Sequence, residues 1–165
     1  MHGISRDGKT RSLITWLLVS AITAASTGSA VQPNKIVQAP TNLVRNPNGG
    51  FTYRTVEIPP GSRLLYISGQ TATGADGKTP ADGDVQADIV YERIARSLAD
   101  AGMTMEDLVK TTVYLTDAAD LPAVIRAGRK YNPSGKQAGT LVYVKGLAVP
   151  DARIEIEAVA ARSTS

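Results

Sequence analysis

The chain contains no cysteine and only one histidine and one tryptophan among its 165 residues. The absence of cysteine excludes a disulfide framework, a thiolate zinc site and a cysteine nucleophile. His2 and Trp16 both lie near the N-terminus. The rest of the chain therefore offers no histidine for a serine–histidine–aspartate triad, an H-E-x-x-H zinc site or a general base. Proton transfer there has to use carboxylates, tyrosine, lysine, backbone groups or water.

The N-terminal segment has the pattern of a secretory signal peptide. Three basic residues and one acidic residue precede an apolar run over 13–25, which is shorter than the roughly 20 residues that span a bilayer. Gly28 and Ala30 supply small side chains at positions −3 and −1 of a cut before Val31. We therefore predict a signal peptide over 1–30 and export to the periplasm. The alternative is an uncleaved membrane anchor.

The net charge of the chain depends largely on this leader. Residues 1–30 hold three of the 18 basic and one of the 15 acidic residues, which leaves 15 basic and 14 acidic residues in 31–165. A nearly neutral domain without a basic run lacks the electrostatic footprint of a nucleic-acid-binding protein. We therefore expect no nucleic acid among its partners.

The composition divides the rest of the chain into two parts. Residues 31–50 hold three prolines and no sustained apolar period, which predicts an extended lead-in. From residue 51 the pattern is that of one domain over 51–162. The turn signal Pro59-Pro60-Gly61-Ser62 joins the first two of its strands into a strand-turn-strand unit. The five predicted strands span 51–58, 64–68, 108–116, 140–145 and 153–160.

Two segments have helical periodicity. Apolar residues recur at helical spacing over 84–101, with Asp82 or Asp84 as the N-cap and Gly102 where a left-handed residue ends a helix. A second helix is predicted over 119–131. The order is then β-β-α-β-α-β-β, an α+β fold whose two helices cover one face of the sheet. The other face has to be buried by something else, most simply by another copy of the chain.

Two glutamates on the last predicted strand are candidates for acid–base chemistry. Glu155 and Glu157 lie two residues apart, so both carboxylates point to the same face of the strand, opposite Ile154 and Ile156. Paired acids can divide the roles of acid and base. The alternative interpretation is an ordinary solvated strand face.

Two further polar patterns have structural explanations. Residues 74–79 contain Gly, Asp, Lys and Thr but lack the spacing of a phosphate-binding loop, which favours a surface turn. Asp82, Asp84 and Asp88 lack the pattern of a calcium loop and lie where a helix N-terminus favours acids. We therefore expect helix capping there and no metal site.

Four ordered segments of the chain resemble the RidA/YjgF family. The resemblance covers about 51–162, and its segments are Leu65-Tyr66-Ile67-Ser68-Gly69-Gln70, the residues VKTTVYLTD at 109–117, VKGLA at 144–148 and IEIEAVA at 154–160. The resemblance implies a chorismate-mutase-like fold and a homotrimer with ligand clefts between the subunits. It also implies hydrolysis of reactive enamines and imines to 2-oxo acids and ammonia, without a cofactor.

The resemblance further assigns residues to the cleft. It implies that Glu155 helps to position water, that Tyr53, or alternatively Phe51, lines the cleft, and that the Ser68-Gly69 turn borders it. The family pattern A-R-[ST], whose arginine holds the substrate carboxylate, is Ala138-Gly139-Thr140 in this chain. Gly139 therefore stands in place of the arginine, and Thr140 follows it in the cleft.

The glycine at position 139 leaves two hypotheses for the function. The first is a deaminase of altered substrate range, in which Lys136 or Lys145 reaches the same cleft. The second is a non-catalytic trimer that binds a small metabolite between its subunits. RNA cleavage, an activity also attached to this family, is not supported by the nearly neutral charge or the missing histidine.

Overall fold

The computed structural model describes residues 35–38 and 54–163. Backbone hydrogen bonds place the strands in two sheets. Along the chain, each helix connects two strands of the larger sheet. The strands are β1 (Lys35–Gln38), β2 (Arg54–Glu57), β3 (Arg63–Gln70), β4 (Leu108–Leu115), β5 (Ala138–Tyr143) and β6 (Ile154–Arg162); the helices are α1 (Gly83–Asp100) and α2 (Leu121–Tyr131). The larger sheet has the strand order β3-β6-β4-β5. β6 is antiparallel to both of its neighbours, whereas β4 and β5 are parallel.

The first predicted strand does not pair with the second. The turn at Pro59 is present, since the Ser62 N–H donates to Pro59 O at 3.3 Å and Gly61 has a φ of 78°. However, β2 pairs with β1, in register from Lys35 opposite Glu57 to Gln38 opposite Arg54. The strand-turn-strand unit is therefore not a hairpin, and the predicted lead-in over 31–50 contains a strand.

Helix α1 begins and ends at the residues that its sequence indicates. The Asp82 carboxylate accepts hydrogen bonds from the N–H groups of Asp84 and Val85 at 2.7 and 3.2 Å, which confirms it as the N-cap. At the other end, Gly102 has a φ of 67° and its N–H donates to Ala99 O at 2.8 Å. A left-handed residue at this position lets the chain satisfy the last carbonyls of the helix and turn away.

Both helices pack on one face of the larger sheet, as predicted. The most deeply buried apolar side chains of α1, at 0% exposure, are Ala87, Val90, Ile94 and Leu98, and they join one apolar cluster with Ile154 and Ile156 of β6. Helix α2 contributes Ala123, Val124 and Ala127 to the same cluster. Burial of this apolar surface is the main stabilising contribution to the domain.

Some predictions lie outside the described residues. These are the signal peptide over 1–30, the membrane-anchor alternative, and the candidate cleft residues Tyr53 and Phe51. Within the described ranges, neither helix combines the length and the apolar character needed to cross a membrane.

Candidate functional site

The face of the larger sheet away from the helices carries polar and apolar side chains together. Along β6 the residues with even numbers from Ile154 to Ala160 are buried toward the helices, and Glu155 and Glu157 point the other way. The strand residues on this side stay at least partly exposed in one chain, and we call it the open face. Its strand residues are Leu64, Tyr66, Lys110, Thr112, Tyr114, Thr140, Val142, Glu155, Glu157 and Val159.

Large apolar side chains on the open face are left in solvent by a single chain. Tyr66 is 74% exposed, Leu64 43% and Val142 37%. Apolar groups concentrated on one face beside half-buried polar groups are typical of a surface that another molecule covers.

A bulge in β3 brings the predicted Ser68-Gly69 turn to the two glutamates. Ile67 pairs with Ala158 and Gln70 with Ile156, so two residues of β3 lie opposite the single residue Glu157. Bulges of this kind redirect a strand next to a site. A Cβ atom on Gly69 would lie only 1.8 Å from Glu155 Oε1 and 2.7 Å from its Cδ. The Glu155 carboxylate therefore occupies the space that the glycine leaves.

The two glutamates differ in their surroundings. Glu157 is exposed, and its Oε1 accepts a hydrogen bond from the Tyr114 hydroxyl at 3.3 Å. Desolvation raises the pKa of Tyr114, and the charges of Glu157 and Glu155 raise it further. Glu155 is half-buried, and its carboxylate accepts no hydrogen bond from any residue that the structure describes. Both oxygens of Glu155 are therefore able to accept hydrogen bonds from a ligand or a water molecule.

Lys110 is a polar residue of the open face that was not predicted from the sequence. Its Nζ donates to Thr140 Oγ1 at 2.8 Å and to Thr111 O at 2.9 Å, and it lies 3.4 Å from Thr112 Oγ1. Desolvation lowers the pKa of Lys110, against the opposing effect of Glu157. Thr140 is thus engaged by a lysine on the same face as the glutamates. The two-residue alternation of the strand was the signal that could have indicated Lys110.

Gly139 lies on the other side of β5 from Thr140. It pairs with Thr111, and the alternation places it on the same side as Leu141, which packs against the helix-side core. A Cβ atom on Gly139 would have only Thr111 Oγ1 nearby, at 3.8 Å. Within one chain the structure brings together Glu155, Ser68, Gly69 and Thr140 on or beside the open face, and it leaves Gly139 on the opposite side.

Neither lysine considered as a substitute cation is placed on the open face. The Lys136 Nζ lies 3.1 Å from Glu106 Oε2, and Lys145 is exposed in the loop after β5. Arg54 of β2 donates to Gly135 O in the turn before β5, so it lies beside the strand that begins at Ala138.

The acidic residues near the start of α1 have structural partners. Asp82 caps the helix, and Asp84 and Asp88 form ion pairs at 2.5 Å with Arg126 and Lys130 of α2. Among residues 35–38 and 54–163, no three His, Cys, Asp or Glu side chains are grouped so that they could hold a metal ion.

Comparison with known proteins gives the family. The family model described as endoribonuclease L-PSP matches residues 52–162, and this chain belongs to that family, also called RidA/YjgF. A curated relative, 3-aminoacrylate deaminase RutC of Acinetobacter baylyi, is 34% identical over 99 residues, which is 59% of this chain and 78% of the relative. A RutC family protein of Haemophilus influenzae is 36% identical over 104 residues, 60% of this chain and 79% of the relative.

Solved structures confirm the fold. The Rid family protein YyfB from Yersinia pestis aligns with a TM-score of 0.65 and 29% identity over 78% of this chain and 98% of its own. TdcF of E. coli with bound serine aligns with a TM-score of 0.56 and 29% identity over 64% of this chain and 85% of its own. The predicted α+β architecture, a sheet with two helices on one face, is therefore that of the family.

Proposed function

We propose that the chain hydrolyses the C=N bond of a small imine, or of the enamine in equilibrium with it, at a cleft bordered by the open face. Water adds to the imine carbon, the nitrogen takes up protons, and the resulting carbinolamine releases ammonia and leaves a carbonyl compound. One water is consumed for each ammonia formed. The relative named 3-aminoacrylate deaminase supports this class of reaction.

The observation that supports the proposal most is the position of the Glu155 carboxylate. It lies against Gly69 in the β3 bulge and has no hydrogen-bond donor among the described residues. A carboxylate in such a place can orient the attacking water and accept one of its protons. In this proposal Glu155 is the catalytic residue, Ser68, Gly69 and Thr140 border the substrate, and no cofactor takes part.

Gly139 points away from the open face, but it belongs to the edge strand β5, from which a long side chain could reach a cleft completed by a neighbouring copy. The glycine is therefore the basis for an altered substrate range. In the family pattern an arginine at this position holds the substrate carboxylate, and a charge-assisted contact of that kind contributes about 1.5 to 3 kcal/mol. Its loss corresponds to roughly a tenfold to hundredfold weaker affinity for 2-imino acids. We therefore propose that imines without a carboxylate are the better substrates.

The test compares two imines generated in situ, with spontaneous hydrolysis as the baseline. One is 2-iminopropanoate from an amino-acid oxidase, and the other is a carboxylate-free imine from an amine oxidase. The purified protein is expected to accelerate loss of the second more than loss of the first, and a Gly139→Arg variant is expected to reverse this order. Failure to accelerate either imine would overturn the catalytic proposal.

A non-catalytic metabolite-binding trimer is the second candidate, and the empty position at Gly139 favours it. If this candidate holds, calorimetric titration with the carbonyl product of the carboxylate-free imine gives saturable binding in a protein that accelerates neither imine. Turnover of either imine rules this candidate out.

The exposed apolar groups of the open face support a homotrimer. Leu64, Tyr66 and Val142 would be removed from water if the open faces of three copies met around a common axis. The small-molecule clefts would then lie between neighbouring copies, and self-association would be the main protein contact.

We also propose that the protein is exported and acts in the periplasm, on the pattern of residues 1–30, with membrane attachment only if that segment stays uncleaved. An exported protein meets little of the short-lived aminoacrylate that forms in the cytoplasm, which agrees with a different substrate. RNA cleavage, named in the description of the family model, is not proposed, because residues 31–165 are nearly neutral and contain no histidine.

A further inference from the structure

We infer that Gln86 is a positioning residue for Glu155, an inference that rests on the proposed role of Glu155 in the site. Gln86 belongs to helix α1, on the covered side of the sheet, and is only 1% exposed. It lies neither on the open face nor in contact with the candidate substrate space. Its side chain instead holds the backbone from which β6 begins.

The amide of Gln86 uses both of its polar atoms on that backbone. Its Nε2 donates to Asp151 O at 3.1 Å, and its Oε1 accepts from the N–H of Arg153 at 2.9 Å. The side-chain amide thus binds the carbonyl of Asp151 and the N–H of Arg153, the same pair of groups that a backbone amide of a neighbouring strand would bind. A third contact, from Nε2 to Pro80 O at 2.7 Å, anchors the amide to the loop before α1.

The backbone that Gln86 holds is not one the chain adopts easily by itself. Asp151 has a φ of 61°, in the left-handed region that residues other than glycine seldom adopt. Such a residue persists when its surroundings fix it. The hydrogen bond from Gln86 to the Asp151 carbonyl is one of the contacts that fix it, three residues before β6 begins at Ile154.

Arg153 is held at its N–H, its carbonyl and its guanidinium, immediately before the strand that carries Glu155. Its N–H is bound by Gln86, its carbonyl accepts from the Thr116 N–H at 3.0 Å, and its guanidinium is paired with Asp120 at 3.1 Å. The Thr116 and Asp120 contacts come from segments next to β4 and α2. Among the described residues, Gln86 supplies the side-chain hydrogen bonds that tie this point to α1, so it helps to set how β6 enters the sheet relative to β3.

The consequence for Glu155 follows from the tight fit at Gly69. A Cβ atom on Gly69 would lie 1.8 Å from Glu155 Oε1, so a small shift of β6 against β3 changes whether the carboxylate still fits over the glycine. Misplacement of a catalytic group by about 1 Å can lower turnover about a hundredfold. Gln86 therefore controls the site from the far side of the sheet.

The test is a nuclear Overhauser contact between the α protons of Gly69 and the γ protons of Glu155, measured in the full chain with selectively protonated glycine and glutamate. The wild type is expected to show the contact. Gln86→Met, which keeps the size and removes all three hydrogen bonds, is expected to lose it. Val90→Ala, a core truncation in the same helix with a comparable drop in Tm, is expected to keep it.

A second variant covers the case in which Gln86→Met does not fold. Gln86→Glu keeps an acceptor for Arg153 but, while ionised, cannot donate to the carbonyls of Pro80 and Asp151, so it is expected to weaken the same contact. An unchanged Gly69–Glu155 contact in a folded Gln86 variant, or equal loss in Val90→Ala, would overturn the inference.

Kinetics give a separate readout for an active protein. Gln86→Met is expected to lower kcat for imine hydrolysis about tenfold or more with KM changed less than about twofold, because Gln86 acts on the catalytic group and does not bind substrate. Val90→Ala is expected to leave both parameters near wild type. A protein without hydrolytic activity would defeat the proposed function, whereas the Overhauser comparison would still decide the role of Gln86.

Discussion

The carboxylate of Glu155 lies directly against the α-carbon of Gly69, so close that a methyl group on Gly69 would come within 1.8 Å of Glu155 Oε1. The bulge that places two β3 residues opposite Glu157 makes this approach possible. The relationship ties a glycine on one strand to the candidate catalytic group on the next.

Gly69→Ala tests this relationship. The methyl group meets the far end of a flexible side chain, so the fold should survive with a loss of about 1 kcal/mol or less. The carboxylate has to move, and imine hydrolysis should fall about tenfold or more. Gly146→Ala is the matched control, because no atom lies within 4 Å of a Cβ there. Equal activity in the two variants would contradict the proposed role of Glu155.

Gly83→Ala tests the ion pair between buried Asp120 and partly exposed Arg153, which anchors the start of β6. A Cβ atom at Gly83 would lie 2.0 Å from Asp120 Oδ1 and 2.9 Å from Arg153 Nη2. Breaking this pair should cost about 2 kcal/mol in the free energy of unfolding, measured by urea denaturation. In Gly83→Ala combined with Asp120→Ala the loss should be smaller than the sum of the single losses. Additive losses would mean that the two residues do not share this contact.

Asp107 should make stability depend on acid pH. Burial raises the pKa of Asp107, but hydrogen bonds from Arg162 and Thr104 outweigh it and leave the pKa below its usual range. A lowered carboxyl pKa gives stability that is present above the unfolded pKa of about 4 and is lost as pH falls through the folded pKa.

The corresponding variant is Asp107→Asn. It should lose about 1 kcal/mol at pH 7, and its difference from wild type should shrink as the pH falls below about 4. Asp76→Asn is the control, because the exposed Asp76 carboxylate lies 4.0 Å from the exposed Lys78 Nζ. Its stability should differ little from that of the wild type at any pH. A gap between Asp107→Asn and wild type that stayed constant across this range would refute the assignment.

Tyr66→Arg tests whether copies of the chain cover the open face. Tyr66 is 74% exposed in one chain, and a charge in the centre of an apolar interface should break the assembly. Light scattering should give three times the mass of the purified chain, which is 17.3 kDa when residues 1–30 are present, for the wild type and a smaller mass for the variant. Val85→Arg is the control: Val85 is 45% exposed on α1, away from the open face, so this variant should keep the wild-type mass. A monomeric wild type would exclude the trimer.

Local patterns predicted the helices and the last strand well. Alternation along β6 correctly placed Glu155 and Glu157 on one face, because the two-residue period of a strand depends only on its own backbone. Asp82 and Gly102 marked the ends of α1 for the same reason, since each satisfies backbone groups within a few residues of itself.

Pairings between distant segments could not be predicted in the same way. The partner of β2 is β1, and nothing in either four-residue segment favours it over β3. The contacts of Lys110 with Thr140 and of Gln86 with Arg153 join residues 30 and 67 positions apart. They depend on how the strands and helices assemble, so the residues appear ordinary in the sequence.

The most direct test of the central claim is the effect of Glu155→Gln on imine hydrolysis. The isosteric change keeps the shape of the side chain and removes its ability to accept a proton from water. We expect the enzyme-dependent rate of ammonia release to fall at least about a hundredfold, while Glu92→Gln, an exposed residue of α1, retains the wild-type rate. A Glu155→Gln protein as active as wild type would show that the reaction does not use this carboxylate.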